Sequence, residues 1–345
     1  MTNRSWGRND EVVWYNQNMD LSVLIVTYNS ENEISNCLDS LLPSLQKLKA
    51  EILIWDNCSR DRTTEAVKMW QQVHRFKSSQ LKIFKSQKNL GWPKANNQLL
   101  KKAQGRNLLL LNPDTVVVDD AIAQLSRFLD QNQKAGAAGP RLLSNDKTPI
   151  VSIHPLNGIR DVLFGSRLYQ GWRYPVWFRR LFKFLPPRED FIDICFFAKL
   201  PFQVIGWASG ACFMLKKSVY QKIGPKDEKF FFFGEESDWC AKILGLKHQN
   251  KIYYLPSAQV YHLLGKSSSL DRVQNNYRGV KITYKNRLYY AKKHFPKFPK
   301  SIIWLFFRIE LIIKIISRFL SPRISWLGKR ARIKTYWQIF NKNFK

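Results

Sequence analysis

Three acids fall within four residues, Glu235, Glu236 and Asp238, directly after an aromatic run at 230–233. Carboxylates crowded beside aromatic rings raise one another's pKa through repulsion and desolvation. A protein can prepare a general base for neutral pH in this way. A solvated acidic face is the plainer account of such a cluster, but it fits poorly in a chain that is otherwise so basic.

A second set of polar residues closes apolar runs: Thr27-Tyr28-Asn29, Asp56-Asn57 and Asn112-Pro113-Asp114. A carboxylate at Asp56 can accept hydrogen bonds from a nucleobase N–H or a ribose hydroxyl, whereas Ser59 and Asp61 beside it suit a helix N-cap. Asp114 follows the apolar run 108–111. A hard divalent cation bridging two phosphates wants one or two carboxylates in such a place, and an Asx-type turn explains the residue equally well. His262 ends another strand-like run and precedes Gly265-Lys266-Ser267, so a structural role stands beside metal ligation or phosphate contact. Asn89-Leu90-Gly91-Trp92 precedes Ala95-Asn96-Asn97. Gly91 supplies a positive-φ turn there, and the small and amide residues leave room for a close ligand. Alone, a glycine before a helix marks only a turn.

The elements that must position these groups can be read from periodicity. Strand-like runs occupy 22–27, 51–56, 81–84 and 107–112. In an open α/β sheet, ligands bind outside the carboxyl ends of the strands, which is where the polar signatures fall. Helical stretches separate the runs. Residues 30–33 read as a capping box, and Ile34, Cys37, Leu38, Leu41 and Leu42 form an apolar helical face. Pro43 is expected to end or kink that helix. Ser59 or Asp61 caps a second helix through Val67. Pro93 starts a third that runs to about Gly105, and Asp119 or Asp120 opens a fourth. The alternation predicts an α/β fold with a doubly wound, mainly parallel sheet. Residues 206–215 and 252–261 return to strand-like composition, the second broken by Pro256. Residues 152–200 interleave Trp172, Tyr174, Trp177, Phe178, Phe182 and Phe184 with Arg173, Arg179, Arg180 and Lys183. This reads as a loop or short helical insertion with an amphipathic surface.

The chain has 345 residues, 45% of them hydrophobic, and a formal net charge of +30. That charge calls for anionic partners. It is uneven: residues 266–345 hold 20 Lys/Arg against Asp271 and Glu310, a net of +18, which leaves +12 for the rest. Such a basic tail suggests nucleic acid or an anionic membrane surface. Within it, residues 301–320 carry a polar stripe of Glu310 and Lys314 continued by Ser317 and Ser321, with Arg308 and Arg318 beside it. The remaining circumference is apolar, which suits a helix in a membrane interface, or one packed on the domain. Five cysteines (Cys37, Cys58, Cys195, Cys212, Cys240) form no C-x-x-C pair, so reduced thiols in a cytoplasmic setting are expected. Residues 1–20 are polar without a signal-peptide core, and the sequence contains no run of about eighteen uncharged apolar residues, so no spanning helix is expected.

Seven stretches in order resemble the family-2 glycosyltransferases of GT-A (Rossmann-like) fold, and within them the rhamnosyltransferase-like branch. They are VTYN (26–29), IWDNCSRD (54–61), NLGWPKANN (89–97), LLLLNPDT (108–115), WASGACFMLKKSVYQKIG (207–224), FFFGEESDWC (231–240) and VYHLLGKSS (260–268). They cover roughly residues 21–270. The resemblance implies a nucleoside diphosphate sugar donor and inversion at the anomeric carbon. Thr27, Tyr28 and Asn29 would then edge the base and ribose, Asp56 would bond the base, and Asn96 with the strand end at Asn112 would flank the ribose and phosphates. Asp114 matches the last acid of the family's D-x-D. Asn112 replaces the first acid, so binding of Mg2+ or Mn2+ would be weaker or would lean on His262. Glu236 falls at the base position, often Asp in the family, with Glu235 and Asp238 beside it. Trp207 and Gly210 match the acceptor-side strand.

The expected organisation is a polar segment 1–20, a GT-A domain 21–270 and a basic amphipathic helical tail 271–345. The domain divides into a nucleotide-binding half 21–135 and an acceptor-side half 136–270 that carries the insertion 152–200. The expected partners are a dTDP- or UDP-sugar donor, a glycan or polyprenyl-linked glycan acceptor and an anionic membrane surface, with the protein peripheral on the cytoplasmic membrane face. A nucleic-acid-binding protein is the rival from another class, but Glu235, Glu236 and Asp238 would repel phosphate, and no nucleic acid is expected. A nucleotidyltransferase would want a Gly or basic loop after the first strand, where Tyr28-Asn29-Ser30-Glu31 stands.

Overall fold

The computed structural model describes residues 19–77, 80–159, 162, 199–204, 206–246, 250–263, 277–320 and 326–341. Residues 1–18, Trp172 to Phe184 with their basic neighbours, Cys195 and Gly265-Lys266-Ser267 lie outside the described residues.

The elements follow in the order β1 (Leu21–Thr27), α1 (Ile34–Leu45), β2 (Ala50–Asp56), α2 (Thr63–Val73), β3 (Leu81–Lys85), α3 (Trp92–Leu100), β4 (Asn107–Leu111), β5 (Thr115–Val117) and α4 (Ala121–Gln131). Next come β6 (Ala135–Leu143), β7 (Pro149–Ile150), β8 (Ile153–Pro155), β9 (Phe202–Val204), β10 (Gly206–Ala208), β11 (Cys212–Lys216) and α5 (Lys217–Ile223). The chain continues through α6 (Glu235–Gly245), β12 (Lys251–His262), α7 (Tyr277–His294), α8 (Lys300–Leu320) and α9 (Trp326–Phe340).

The main sheet has the order β3-β2-β1-β4-β11-β6-β12-β5. Strands β3, β2, β1 and β4 are parallel, as the alternation predicts. Strand β11 enters antiparallel between β4 and β6, and β12 returns parallel to β6. Reversing β11 has a functional consequence. Its first residue, Cys212, pairs with Leu111, the last of β4, so the residues before β11 meet the carboxyl ends of the parallel strands.

Every residue of β1 is buried because both faces of the sheet are covered. Leu21, Val23 and Ile25 pack with α1, α2 and α4 on one face, and Leu24 and Val26 pack with α3, α5 and α6 on the other. The helix limits differ from the sequence reading in four places, the first being α2, which runs on to Val73. Residues 31–33 form a turn, and the Ser30 hydroxyl accepts from the Tyr28 N–H rather than capping α1. Pro43 sits inside the last turn of α1, where it removes one i→i−4 hydrogen bond, and the helix ends two residues later at Leu45 rather than at the proline. Helix α3 starts at Trp92, with Pro93 second, and stops at Leu100. Strand β12 also runs through Pro256. A register shift between Leu255 and Gln259 takes the proline out of the ladder.

The basic tail folds as three helices on the domain. Tyr284, Leu288, Tyr290 and Ala291 of α7, Ile303, Phe307 and Leu311 of α8 and Ile339 of α9 share a core with Val162 and Phe230. Of the polar stripe of α8, Glu310 and Lys314 turn inward. Glu310 is buried and bonded by Arg287 Nη1 at 2.6 Å, and Lys314 adds a second ion pair. Burial alone would raise the Glu310 pKa, but the two cations outweigh it and hold the group ionised. None of the described helices is long and apolar enough to cross a membrane.

Candidate active site

The candidate site lies at the carboxyl ends of the parallel strands, built from the ends of β1, β2, β4 and β12, the loop before β11 and the first turn of α6. Asn29 and Cys58, both in the left-handed region with φ of 54° and 71°, turn the chain out of β1 and β2. The two turns are laced together. The Asn29 N–H donates to Ser59 Oγ at 2.9 Å, and the Arg60 N–H donates to Asn29 Oδ1 at 2.8 Å. Asp56 is buried at the floor. Its Oδ1 accepts from Thr27 Oγ1 and the Ser59 N–H, both at 3.3 Å, while Oδ2 has no hydrogen-bond partner among the described residues. A buried acceptor without a donor is costly unless something else supplies one. Tyr28 stands beside it, 40% exposed.

Asn57 ties β2 to the loop before α3. Its amide donates to Asn89 Oδ1 at 3.0 Å and accepts from the Leu90 N–H at 2.8 Å. Gly91 has φ of 80°, and a Cβ there would come within 2.8 Å of the Phe231 carbonyl oxygen. That carbonyl accepts from the Trp92 N–H at 3.1 Å. The Asn96 side chain is buried and donates to the Trp92 carbonyl one turn back, and Asn97 grips the backbone of Lys226 through both of its amide atoms.

At the end of β4, the Asn112 N–H donates to the Ala211 carbonyl at 2.9 Å. Asp114 is buried, with His262 Nε2 3.4 Å from its Oδ1. The β12–β5 pairing places His262 opposite Thr115, next to Asp114. The residues expected to share a metal are thus brought together. Among the described residues no cluster of three or more protein ligands forms. One carboxylate and one imidazole fit a divalent ion that takes its other ligands from a diphosphate and water.

The acidic triplet follows a strained turn. Phe233 has φ of 68° and Gly234 φ of 93°. A left-handed conformation is costly for a bulky aromatic residue, and Asn286 of α7 holds it by donating to the carbonyls of Phe232 at 2.7 Å and Phe233 at 2.9 Å. The three acids then take different surroundings. Asp238 is fully buried, with His294 Nε2 2.8 Å from Oδ1 and Lys293 Nζ 2.9 Å from Oδ2. Burial pushes its pKa up, but the bonds from His294 and Lys293 outweigh burial and hold it below the usual carboxylate range. Glu235 is buried with Oε2 unbonded. Burial and the neighbouring Glu236 charge push its pKa well up. Glu236 is half-buried, and its Oε1 accepts from the Gly210 N–H at 3.4 Å. Its pKa is raised by burial, and moderated by Lys226 and the Gly210 N–H.

Lys226 was not distinguished by the sequence reading. It is buried with its Nζ 4.7 Å from the Trp92 ring centre and 4.1 Å from that of Trp239. It follows Gly224-Pro225, which marks a turn and nothing more. Lys293, His294 and Asn286 were also missed, because they sit in the tail. On the acceptor side, Trp207 is half-buried and stacks on His154 at 4.0 Å. A Cβ on Gly210 would lie 2.8 Å from Trp92 and 3.0 Å from Glu236 Oε1, so only glycine fits. Adjacent residues therefore join the two halves: Gly210 bonds the α6 acid, and Ala211 bonds the end of β4.

A sheet of this order, with one reversed strand whose preceding loop meets the carboxyl ends of the parallel strands, is that of a GT-A glycosyltransferase fold. The profile of glycosyl transferase family 2 matches residues 22–224, and the chain belongs to that family. It is 25% identical over 298 residues to the N-acetylglucosaminyl-diphospho-decaprenol L-rhamnosyltransferase of Mycobacterium tuberculosis, covering 82% of this chain and 88% of that protein. It is 32% identical over 116 residues to the poly(ribitol-phosphate) beta-N-acetylglucosaminyltransferase TarS of Staphylococcus aureus, a match that covers 33% of this chain and 19% of TarS. In fold it is similar to a mannosyltransferase from Pyrobaculum calidifontis in complex with GDP-Man and Mn2+. That match has a TM-score of 0.52 at 14% identity, covering 94% of this chain and 76% of that one.

Proposed function

We propose that this glycosyltransferase moves a sugar, with inversion, from a nucleoside diphosphate sugar to a hydroxyl of a glycan or polyprenyl-linked glycan. Rhamnose from a dTDP-sugar is the first donor to try, because the relative matched over most of its length is a rhamnosyltransferase acting on a decaprenol-linked acceptor by its name. The observation that carries the reading is the step at Gly210-Ala211. It sets the Glu236 carboxyl and the Asn112–Asp114 turn on either side of one short loop.

In this reading Asp56 Oδ2 accepts from the nucleobase. Thr27, Tyr28 and Asn29 border the base and ribose, and Asn112 flanks the phosphates. The Asn96 amide is committed to its own helix, so it contributes by shape at the helix start. Asp114 and His262 would hold Mg2+ or Mn2+, which would offset charge on the leaving diphosphate. Glu236 takes the proton from the acceptor hydroxyl as the oxygen attacks the anomeric carbon from the face opposite the diphosphate. Its raised pKa suits that task. Glu235, whose pKa is pushed well up by burial, favours less negative charge beside Glu236, and Asp238 is held by α7. Trp207 and Gly210 line the acceptor side. The tail places the protein peripherally on the cytoplasmic membrane face, where a lipid-linked acceptor lies.

The test is donor binding and turnover across a panel of nucleotide sugars with Mg2+ or Mn2+, for the wild type, Asp114→Ala and Glu236→Gln. The reading expects one donor to bind, Asp114→Ala to weaken it, and Glu236→Gln to abolish turnover while binding survives. If no donor binds with either metal, the assignment fails.

A further inference from the structure

Ile302, Leu305, Ile309, Ile312, Ile316 and Phe319 of α8 are each between 38% and 63% exposed. Their spacing alternates three and four residues, so they form one continuous row along the helix, about 25 Å long. Ile303, Phe307, Glu310 and Leu311 occupy the opposite side and are buried. An ordinary surface helix is apolar inside and polar outside, whereas α8 is apolar on its buried side and again along this outward row. Scattered exposed leucines need no explanation, but a contiguous apolar row does.

We propose that this outward face of α8 docks the protein on an anionic phospholipid bilayer, lying in the interface with the row inserted among the acyl chains. The proposal deepens the membrane placement given above and rests on that reading only for the acceptor. Charge selects the occupant. Residues 266–345 carry a net +18, and Lys297, Lys300, Arg308, Arg330 and Lys334 are exposed on the three-helix unit. The one acid between residues 277 and 341 is Glu310, which is buried and paired inside. A second copy of the chain would bring the same positive charge against this face. An anionic leaflet complements it, at about 1 kcal/mol for each basic residue near the surface.

The same unit reaches the candidate site. Helix α7 bonds α8 through Arg287–Glu310, and it bonds the acidic turn through Asn286, Lys293 and His294. Docking through α8 would therefore hold the acid turn at a fixed height above the bilayer.

The experiment is flotation of the full chain with vesicles of phosphatidylglycerol and phosphatidylcholine, and of phosphatidylcholine alone. The variants are Ile309→Glu/Ile316→Glu and Ile309→Ser/Ile316→Ser. The serine pair separates lost apolar surface from added negative charge, and thermal melting checks the fold. The wild type should float with the anionic vesicles and detach as salt rises. Each pair should weaken binding by about tenfold or more, with melting unchanged. Wild-type binding retained in both variants, or absent in the wild type, overturns the proposal. So does a wild-type dimer that the serine pair converts to monomer, which would assign the row to a second copy. Donor turnover in solution is read separately. If it is absent while flotation depends on the row, the transferase reading falls and the docking surface stands.

Discussion

His294 Nε2 lies 2.8 Å from Asp238 Oδ1, joining the end of α7 to the first turn of α6. The tail is thus part of the wall that holds the acidic turn. With Lys293 on the other oxygen, both oxygens of Asp238 are engaged. Glu236 is left as the acid facing the Gly210 loop.

Glu236→Gln should lower kcat on the order of 10²–10⁴-fold, with donor affinity unchanged. Burial raises the Glu236 pKa and Lys226 lowers it. The acidic limb of the kcat/KM profile should therefore lie above the ordinary value of 4.5, and Lys226→Met should shift it further toward alkaline pH. A limb that does not respond to Lys226→Met would detach that lysine from the base.

Asp238→Asn should destabilise the fold by about 1–3 kcal/mol, because it weakens the bonds of a buried carboxylate to His294 and Lys293, although Lys293 keeps Asp227 as a partner at 2.7 Å. Its carboxyl has a lowered pKa in the folded state. The unfolded chain therefore takes up its proton first as pH falls. The stabilisation is present above the unfolded value near 3.8 and is lost as pH drops through the lower folded value. Denaturant melts of the wild type and variant at neutral and acidic pH should converge at the acid end.

Glu235 has the opposite sign. Its folded pKa is raised, so above the unfolded value of 4.5 the native state holds a proton that the unfolded chain has released. Stability at this site therefore falls as pH rises. Glu235→Gln should flatten that fall, so the variant gains on the wild type between mildly acid and alkaline pH. Parallel stability curves for the two proteins would refute it.

Gly210→Ala places a methyl group against Trp92 and the Glu236 carboxyl. Overpacking of this kind costs about 1–3 kcal/mol. Because the intruded atom is Glu236 Oε1, turnover should drop by at least about tenfold while donor affinity holds. Steady-state kinetics beside donor titration resolve the two effects.

The parallel half of the sheet was legible from local pattern. Runs such as Leu108–Leu111 are apolar on both faces because helices cover both, and the polar residues that follow them mark where the strands emerge. The pairing of Asp114 with His262 could be suggested from types and order, since each ends a strand. What separates Asp238 from Glu236 could not. Three acids in one helical turn look alike in sequence, and their roles depend on bonds and charges from Lys226, Lys293 and His294, remote from them or placed by a turn. Helix α8 shows the same limit. Its sequence is apolar around most of its circumference, so periodicity defines a helix but not which side packs. The polar stripe at Glu310 would be assigned to solvent on composition alone. Arg287, supplied from α7, makes its burial tolerable and turns the opposite, apolar row outward. The sequence by itself determined the class of fold, the strand-end polar groups and the acidic turn, because those follow from contacts between near neighbours. Only the tertiary structure decided which acid is free, what surrounds it and which face of α8 meets the exterior, because each depends on a charge or a packing partner brought from far along the chain.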